Sequence, residues 1–303
     1  MTMRVYNPDP AWIIQHAEGF TRDDVIELVK RDGYKRSLFR SLPMSESLTS
    51  LVKTTDNLVY VSETYRRCFV DLGLGADAYS NHFTGKTKST LRRKIRKFTD
   101  ACGGTLPWRE CRTPSELDEF YPRAREISAQ TYQEALLDSG LPSNESFRSS
   151  MLRDGAKDKV RAYLLFDNEG HGLAYLYCPI IDGVVRYQYL GYVAGHRLNE
   201  WSPGTILLWL ALQRLQEEGC YKWFDFTEGS DEKSTGQKSR FATGDVVCAD
   251  LWVFERTPGS VCLLTVHRLV DNASALLGKV FERLGVKRRL KHWIRRIAAT
   301  RTA

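Results

Sequence analysis

The spacing of apolar positions changes near residue 159, from the three-and-four rhythm of helices to the alternation of strands. Before that point, residues 21–31 carry a Thr cap, early acids, late bases and apolar Val25, Ile26, Leu28 and Val29, which predicts a short amphipathic helix. Residues 58–61 and 67–72 read as short strands, followed by a turn at Gly73-Leu74-Gly75. In 84–100, Leu91, Ile95 and Phe98 recur four and three residues apart and give a helix one narrow apolar face. Residues 113–137 open with T-P-S-E-L: a cap, a proline at the first helical position and a glutamate at the capping-box position. Pro142-Ser143-Asn144-Glu145 starts another short helix through Leu152.

From Lys159 the pattern predicts three antiparallel strands, 160–167, 172–182 and 184–192, with turn residues between them. Ser202-Pro203-Gly204-Thr205 then opens a helix over 203–218, with Ser202 as N-cap and Gly219 as C-cap. That helix is apolar on nearly every side, so burial is expected. Strands follow at 221–227 and 246–256. The order describes an α/β (α+β) fold around one mixed, mostly antiparallel sheet flanked by helices. Helix 203–218 makes a right-handed crossover if strands 184–192 and 221–227 are parallel. Three divisions are expected: an abbreviated accessory half over 1–100 ending in a basic helix, a core over 101–260, and a basic amphipathic helical tail over 261–303.

Composition narrows the class. A chain of 303 residues, 42% hydrophobic and without a low-complexity run, has the makings of a full core. No apolar stretch approaches 18 residues, and residues 1–10 are polar, so neither a spanning helix nor a secretory signal is expected. Cys68, Cys102, Cys111, Cys178, Cys220, Cys248 and Cys262 are scattered and never spaced as CxxC. Several lie in apolar strand-like runs and read as small core residues, and a reducing cytoplasm fits best, with neither zinc nor a disulfide framework.

The net charge of +7 is concentrated in two places. From Lys279 to the end, nine Lys or Arg face one acid, Glu282, so this tail carries +8 and the rest of the chain −1. Within the rest, Lys86, Lys88, Arg92, Arg93, Lys94, Arg96 and Lys97 form a cluster without an acid, either a solvated helix face or an anion-binding surface. In 276–298, Leu277, Val280, Phe281 and Leu284 make one apolar stripe and Leu290, Trp293, Ile294 and Ile297 a second. Such a segment fits an anionic membrane surface, an acidic partner such as an acyl carrier protein or RNA, or a terminal helix packed on the body. Peripheral attachment to the inner face of a membrane is therefore one expectation.

A helix N-terminus with free N–H groups is a natural phosphate site, and Gly204 lets a ligand reach the backbone. Four pieces occur here in order: the basic run Leu91-Arg92-Arg93-Lys94-Ile95-Arg96; Ser202-Pro203-Gly204; Gly219 through Phe224-Asp225-Phe226; and Gly229 with Lys238 and Phe241. Together they resemble the GNAT acyltransferase superfamily, closest to its FemAB-like and CelD-like branch, over roughly residues 85–256. The chain departs from the branch in having Gln237 where a Tyr is usual and extra residues at 230–237. The part before residue 85 is also shorter than a full first repeat of FemAB-like enzymes.

The resemblance implies an acyl-CoA co-substrate, acetyl-CoA first among them, whose pyrophosphate sits on the turn Ser202, Gly204 and Thr205. An amine of a small metabolite, amino sugar or amino acid would attack the thioester directly. The pantetheine arm would lie along the end of strand 184–192, with an oxyanion donor near Gly191 or Tyr192. Asp225 and Glu228, at the C-terminal end of strand 221–227, are the candidate bases; Asp225 could equally be a structural acceptor for loop N–H groups. Lys238 could neutralise phosphate or bind a carboxylate. Tyr187, Gln188 and Tyr189 are candidates for the acceptor pocket, and His196 for a base or phosphate contact. The alternatives are a FemAB-like transferase using aminoacyl-tRNA, and a non-catalytic GNAT-like module docking a membrane-associated biosynthetic complex. Neither a nucleophile elbow nor a metal-ligand cluster is visible.

Overall fold

The computed structural model describes residues 4–31, 36–45, 51–131, 134, 140–227, 237–267, 269 and 270. Glu228 and the basic tail 276–298 lie outside the described residues. Close packing divides the chain into two units, 1–66 with 246–303, and 67–245. These limits differ from the expected 100 and 260. The basic helix belongs to the second unit, where its buried Leu91 and Phe98 join the core.

In the first unit, β1 (Arg4–Tyr6), α1 (Pro10–Gln15), α2 (Arg22–Arg31), β2 (Arg36–Pro43), β3 (Leu51–Lys53) and the first part of β4 (Asn57–Asp71) precede a last strand, Gly244–Glu255. The expected amphipathic helix is α2, which buries Val25 and Val29 against Phe39, Leu42, Val59, Leu251 and Val253. β2 pairs parallel with β1 and antiparallel with Gly244–Glu255. Its alternation is hard to read because Ser37 and Ser41 occupy core positions. Ser41 is satisfied there: its N–H donates to Asp250 Oδ1 (2.8 Å) and its hydroxyl lies 2.5 Å from the Tyr65 hydroxyl. The two short strands expected at 58–61 and 67–72 are one continuous strand, β4. The polar residues Ser62, Glu63 and Thr64 between them are exposed, so their polarity marks solvent and not a turn.

The second unit takes up β4 from Arg67 and continues through α3 (Gly75–His82), α4 (Gly85–Ala101), β5 (Trp108–Cys111), α5 (Pro114–Ala129) and α6 (Glu145–Gly155). It then adds β6 (Val160–Phe166), β7 (Gly172–Ile181), β8 (Val184–Arg186), β9 (Tyr189–Tyr192), α7 (Pro203–Glu218), β10 (Trp223–Asp225) and α8 (Gln237–Phe241), before β11, the strand Gly244–Glu255. Its strands lie in the order β4, β10, β8, β7, β6, β5, with β9 on β7. β8 and β10 are parallel, as the crossover through α7 requires, and the other pairs of this unit are antiparallel.

Strand alternation builds two cores from one sheet. In β6, Tyr163 and Leu165 pack with α4 and α7, while Ala162 and Leu164 pack with α5 and α6. Burial on both faces explains why β6 and β7 read as nearly unbroken apolar runs. α5 forms the full capping box between Thr113 and Glu116. It stops at Ala129, short of the expected Ala135, where the Thr131 N–H and hydroxyl both turn back to the Ser128 carbonyl (2.8 and 2.7 Å). α7 is buried along most of its length and ends at Gly219 in the left-handed conformation (φ 62°) that a glycine C-cap supplies.

The C-terminal end of α7 is pinned ionically. Glu218 accepts from the wholly buried Arg161 (3.1 Å), which also donates to Asp158 (2.7 Å). The hydrogen bond from Arg112, with that from Arg161, holds the Asp158 carboxyl down to about 2 from an ordinary 3.8. The stabilisation is therefore complete above the unfolded pKa and disappears as pH falls through the folded one. Asp158 is 49% exposed, so screening keeps the effect below about 1 kcal/mol. Asp158→Asn is expected to be slightly less stable than wild type at neutral pH, and urea unfolding curves of the two should converge as pH drops from 3.8 to about 2.

Candidate active site

The expected single strand 184–192 is two strands, and the break between them shapes the site. β8 lies in register beside β10, Trp223 opposite Val184 and Asp225 opposite Arg186. The Tyr187 N–H still donates to the Asp225 carbonyl (2.8 Å), but the Gln188 N–H turns to the Tyr177 carbonyl of β7 (3.2 Å). Beyond it β9 pairs with β7, while the chain after β10 stays with β4 through the Phe226 N–H to the Cys68 carbonyl (3.0 Å). Two parallel neighbours thus part company at Tyr187 and Asp225. Val193 donates to Leu173, so Gly191 and Tyr189, in step with it, direct their backbone groups to β7. Leu190 and Tyr192 direct theirs to the open side.

Gly191 is consequently a packing position: a Cβ there would lie 2.4 Å from the Tyr175 ring. Tyr192 is exposed. Regular alternation would set Tyr187 and Tyr189 on one face, but the irregularity between β8 and β9 separates them. Tyr187 packs on Phe224 and Phe226 (centroids 6.3 and 5.6 Å), whereas Tyr189 packs on Phe147 and Tyr177 (6.0 and 6.2 Å). Gln188 is exposed between them.

The N-terminus of α7 sits directly against β9. A Cβ on Gly204 would come 3.1 Å from Leu190 Cδ2 and 3.3 Å from Tyr192 Cδ1, so glycine is what allows the close approach. Ser202 does not cap the helix with its side chain, contrary to expectation. A 3-10 turn over Arg197–Trp201 delivers it in the left-handed conformation (φ 60°), and its carbonyl accepts from the Thr205 and Ile206 N–H groups (2.9 and 3.1 Å). The Thr205 amide is thereby used internally. Gly204 has no acceptor for its N–H among the described residues. The Ser202 hydroxyl instead accepts from Lys94 of α4 (2.8 Å). Burial, then Arg240 and Arg93 nearby, lower the Lys94 pKa. Lys97 lies 5.3 Å from the Trp201 ring centroid. A helix N-terminus and several cations converge here, an arrangement that favours an anion.

At the point of parting, Asp225 is fully buried and held by Arg67, Nε to Oδ1 at 3.0 Å and Nη2 to Oδ2 at 2.6 Å. Oδ1 also accepts the Thr227 N–H (2.9 Å), and Arg186 Nε lies 3.8 Å from Oδ2. Thr227 is left-handed (φ 60°) and its hydroxyl donates to the Tyr187 carbonyl (3.3 Å). Lys238 Nζ donates to the Phe226 carbonyl (3.0 Å) and lies 5.4 Å from the Tyr187 ring centroid. Burial lowers the Lys238 pKa, partly opposed by the charge of Asp225. Asp225 and Lys238 are thus brought together, and Glu228 is outside the described residues. His196 caps the 3-10 turn by accepting the Leu198 N–H (3.2 Å).

Arg67, Arg186 and Thr227 were not singled out by sequence, and Lys94 only as one member of the basic cluster. The available signal for Arg67 was an arginine inside an apolar strand run, R-R-C-F-V, together with an aspartate inside F-D-F. Each is a buried charge needing the other. Asp225→Asn is expected to reduce unfolding free energy by about 3 kcal/mol, because it removes the carboxylate to which two buried guanidinium bonds are made. The measurement is urea unfolding, with Arg67→Met and the double variant completing a cycle. Additive losses would show that the pair is not coupled.

Comparison with known proteins bears on this arrangement. Residues 85–233 match the family described as acetyltransferase (GNAT) domain, whose members use acyl-CoA as co-substrate. No curated protein matches the sequence. Among solved structures, the chain is similar to L-PGS from Bacillus licheniformis, at 14% identity over 81% of this chain and 76% of that one, with a TM-score of 0.43. It is also similar to FemX, at 10% identity over 80% and 77%, TM-score 0.47. A third similarity is to a tandem GNAT protein from the clavulanic acid biosynthesis pathway, at 13% identity over 77% and 67%, TM-score 0.38. The chain thus carries a GNAT acetyltransferase domain, residues 85–233, and is an acyltransferase.

Proposed function

We propose that the chain is a FemAB-like member of the superfamily that transfers the acyl group of an acyl-CoA, acetyl-CoA in the first instance, to the amine of a small metabolite, amino sugar or amino acid. The parting of β9 from β10 beside Gly204 carries this reading, because it puts outward-facing strand groups and a helix N-terminus side by side. When bound, the co-substrate supplies a thioester carbonyl activated toward an amine. The Gly204 N–H and the Lys94 ammonium are suited to the pyrophosphate, with Ser202 and Thr205 shaping the turn. The backbone groups of Leu190 and Tyr192 are suited to pairing with the pantetheine amides, and the Tyr192 N–H to the developing oxyanion.

We assign proton removal from the amine to Glu228, which follows Thr227 in the chain. The Asp225 oxygens are already engaged by two guanidinium bonds and an amide, so its suited role is to hold Thr227 and Tyr187 in place. Lys238, beside Tyr187, is suited to an acceptor carboxylate. Tyr187, the exposed Gln188 and Tyr189 remain our candidates for contacts with the acceptor.

Acetyl-CoA at a hundredfold excess over its Kd is expected to add about 2.7 kcal/mol to stability and raise Tm by several degrees. Gly204→Glu should abolish the shift, with the unliganded Tm reporting any damage to the fold. Glu228→Gln should keep the shift and lose turnover. If no acyl-CoA moves Tm, the reading fails, and salt-sensitive tRNA binding would favour the aminoacyl-tRNA-dependent alternative.

A further inference from the structure

We propose that the helical residues 258–267, 269 and 270 of the first unit form a docking face for an anionic lipid surface. Thr257 starts the helix, its hydroxyl accepting the Ser260 N–H (3.1 Å). Leu264 packs on Leu58 and Tyr60 and is 4% exposed, and the His267 ring meets Tyr60 at 5.4 Å. The other side is apolar as well. Val261 (44%), Leu263 (58%), Val266 (53%), Leu269 (64%) and Val270 (58%) are all exposed. At a helical turn of about 100° per residue, these five cover an arc of about 200° centred opposite Leu264. A surface helix held by one side normally turns polar residues to water on the other; among the described residues of this arc only Thr265 is polar, and its hydroxyl turns back to the Val261 carbonyl (2.7 Å).

Charge selects the occupant. Residues 258–270 contain no carboxylate, and 271–303 carry nine Lys or Arg against Asp271 and Glu282. An apolar face continued by a cationic sequence complements a layer of acyl chains under anionic headgroups. No helix among the described residues is long and apolar enough to cross a membrane, so the geometry is that of a helix lying on the surface. Membrane attachment is independent of the acyl-transfer reading, since it concerns neither Gly204 nor the parted strands.

The test is co-sedimentation of the full chain with phosphatidylcholine vesicles with and without phosphatidylglycerol, at low and high salt. Binding is expected to require phosphatidylglycerol and to weaken with salt. Val266→Glu with Leu269→Glu, two exposed positions, should lower it by roughly tenfold or more while leaving thermal unfolding unchanged. A fluorophore on Cys262, which is exposed on the same arc, should shift to the blue on these vesicles in a Cys220→Ser background. Equal binding by the double variant would assign attachment to 271–303 alone and overturn the proposal. So would indifference to phosphatidylglycerol, or a dimer in solution that the double variant dissociates, which would make the face a contact between copies.

Discussion

The second unit depends on a carboxylate that never meets water. Asp225 ends β10 with no exposed surface, a position tolerable only because Arg67 meets both of its oxygens and Thr227 adds an amide. That arrangement fixes where β10 stops. Thr227 is bent into the left-handed region over the Asp225 carboxylate, and its hydroxyl returns to the Tyr187 carbonyl. The last bonds between the two parallel strands are made there, and beyond them β9 leaves with β7. A charge pair at the sheet's interior thereby sets the position of a gap at its end.

The helix beside that gap is held at both ends by different means. Its C-terminus is tied ionically, Glu218 to buried Arg161, and its N-terminus is tied sterically, Gly204 against Leu190 and Tyr192 of β9. Both attachments act on a helix whose faces are largely buried, so its dipole is aimed by packing and not by its own sequence. Lys94 then adds a cation from a third element, α4, through the Ser202 hydroxyl. The departure of Ser202 from side-chain capping follows from the same geometry: a residue in the left-handed conformation gives its carbonyl to the helix and its hydroxyl to a neighbour.

Much of the second unit was legible in the order of residues. The capping box at Thr113, the antiparallel strands after Lys159, the buried helix 203–218 with its glycine terminus and the parallel crossover are local signals, carried by side-chain period and backbone propensity. The short first-unit strands β1 and β3, and β2 with serines in its core positions, carry too little period to be read. Of the candidate site, the turn at Gly204 and the neighbourhood of Asp225 and Lys238 could be located, because glycine at a helix start and an acid between two phenylalanines are unusual in themselves.

What the sequence alone determined was which segments become helix or strand and which of them carry charge. Tertiary structure decided what those charges do. Asp225 and Arg67 are 158 residues apart, and only the antiparallel pairing of β10 with β4 brings them into contact and makes the carboxylate a structural partner instead of an exposed base. The break at Tyr187 and Gln188 likewise has no signature in an aromatic strand that alternates normally. It arises because one strand cannot follow two diverging neighbours, so hydrogen bonding transfers from β10 to β7 and the face of every later side chain changes with it.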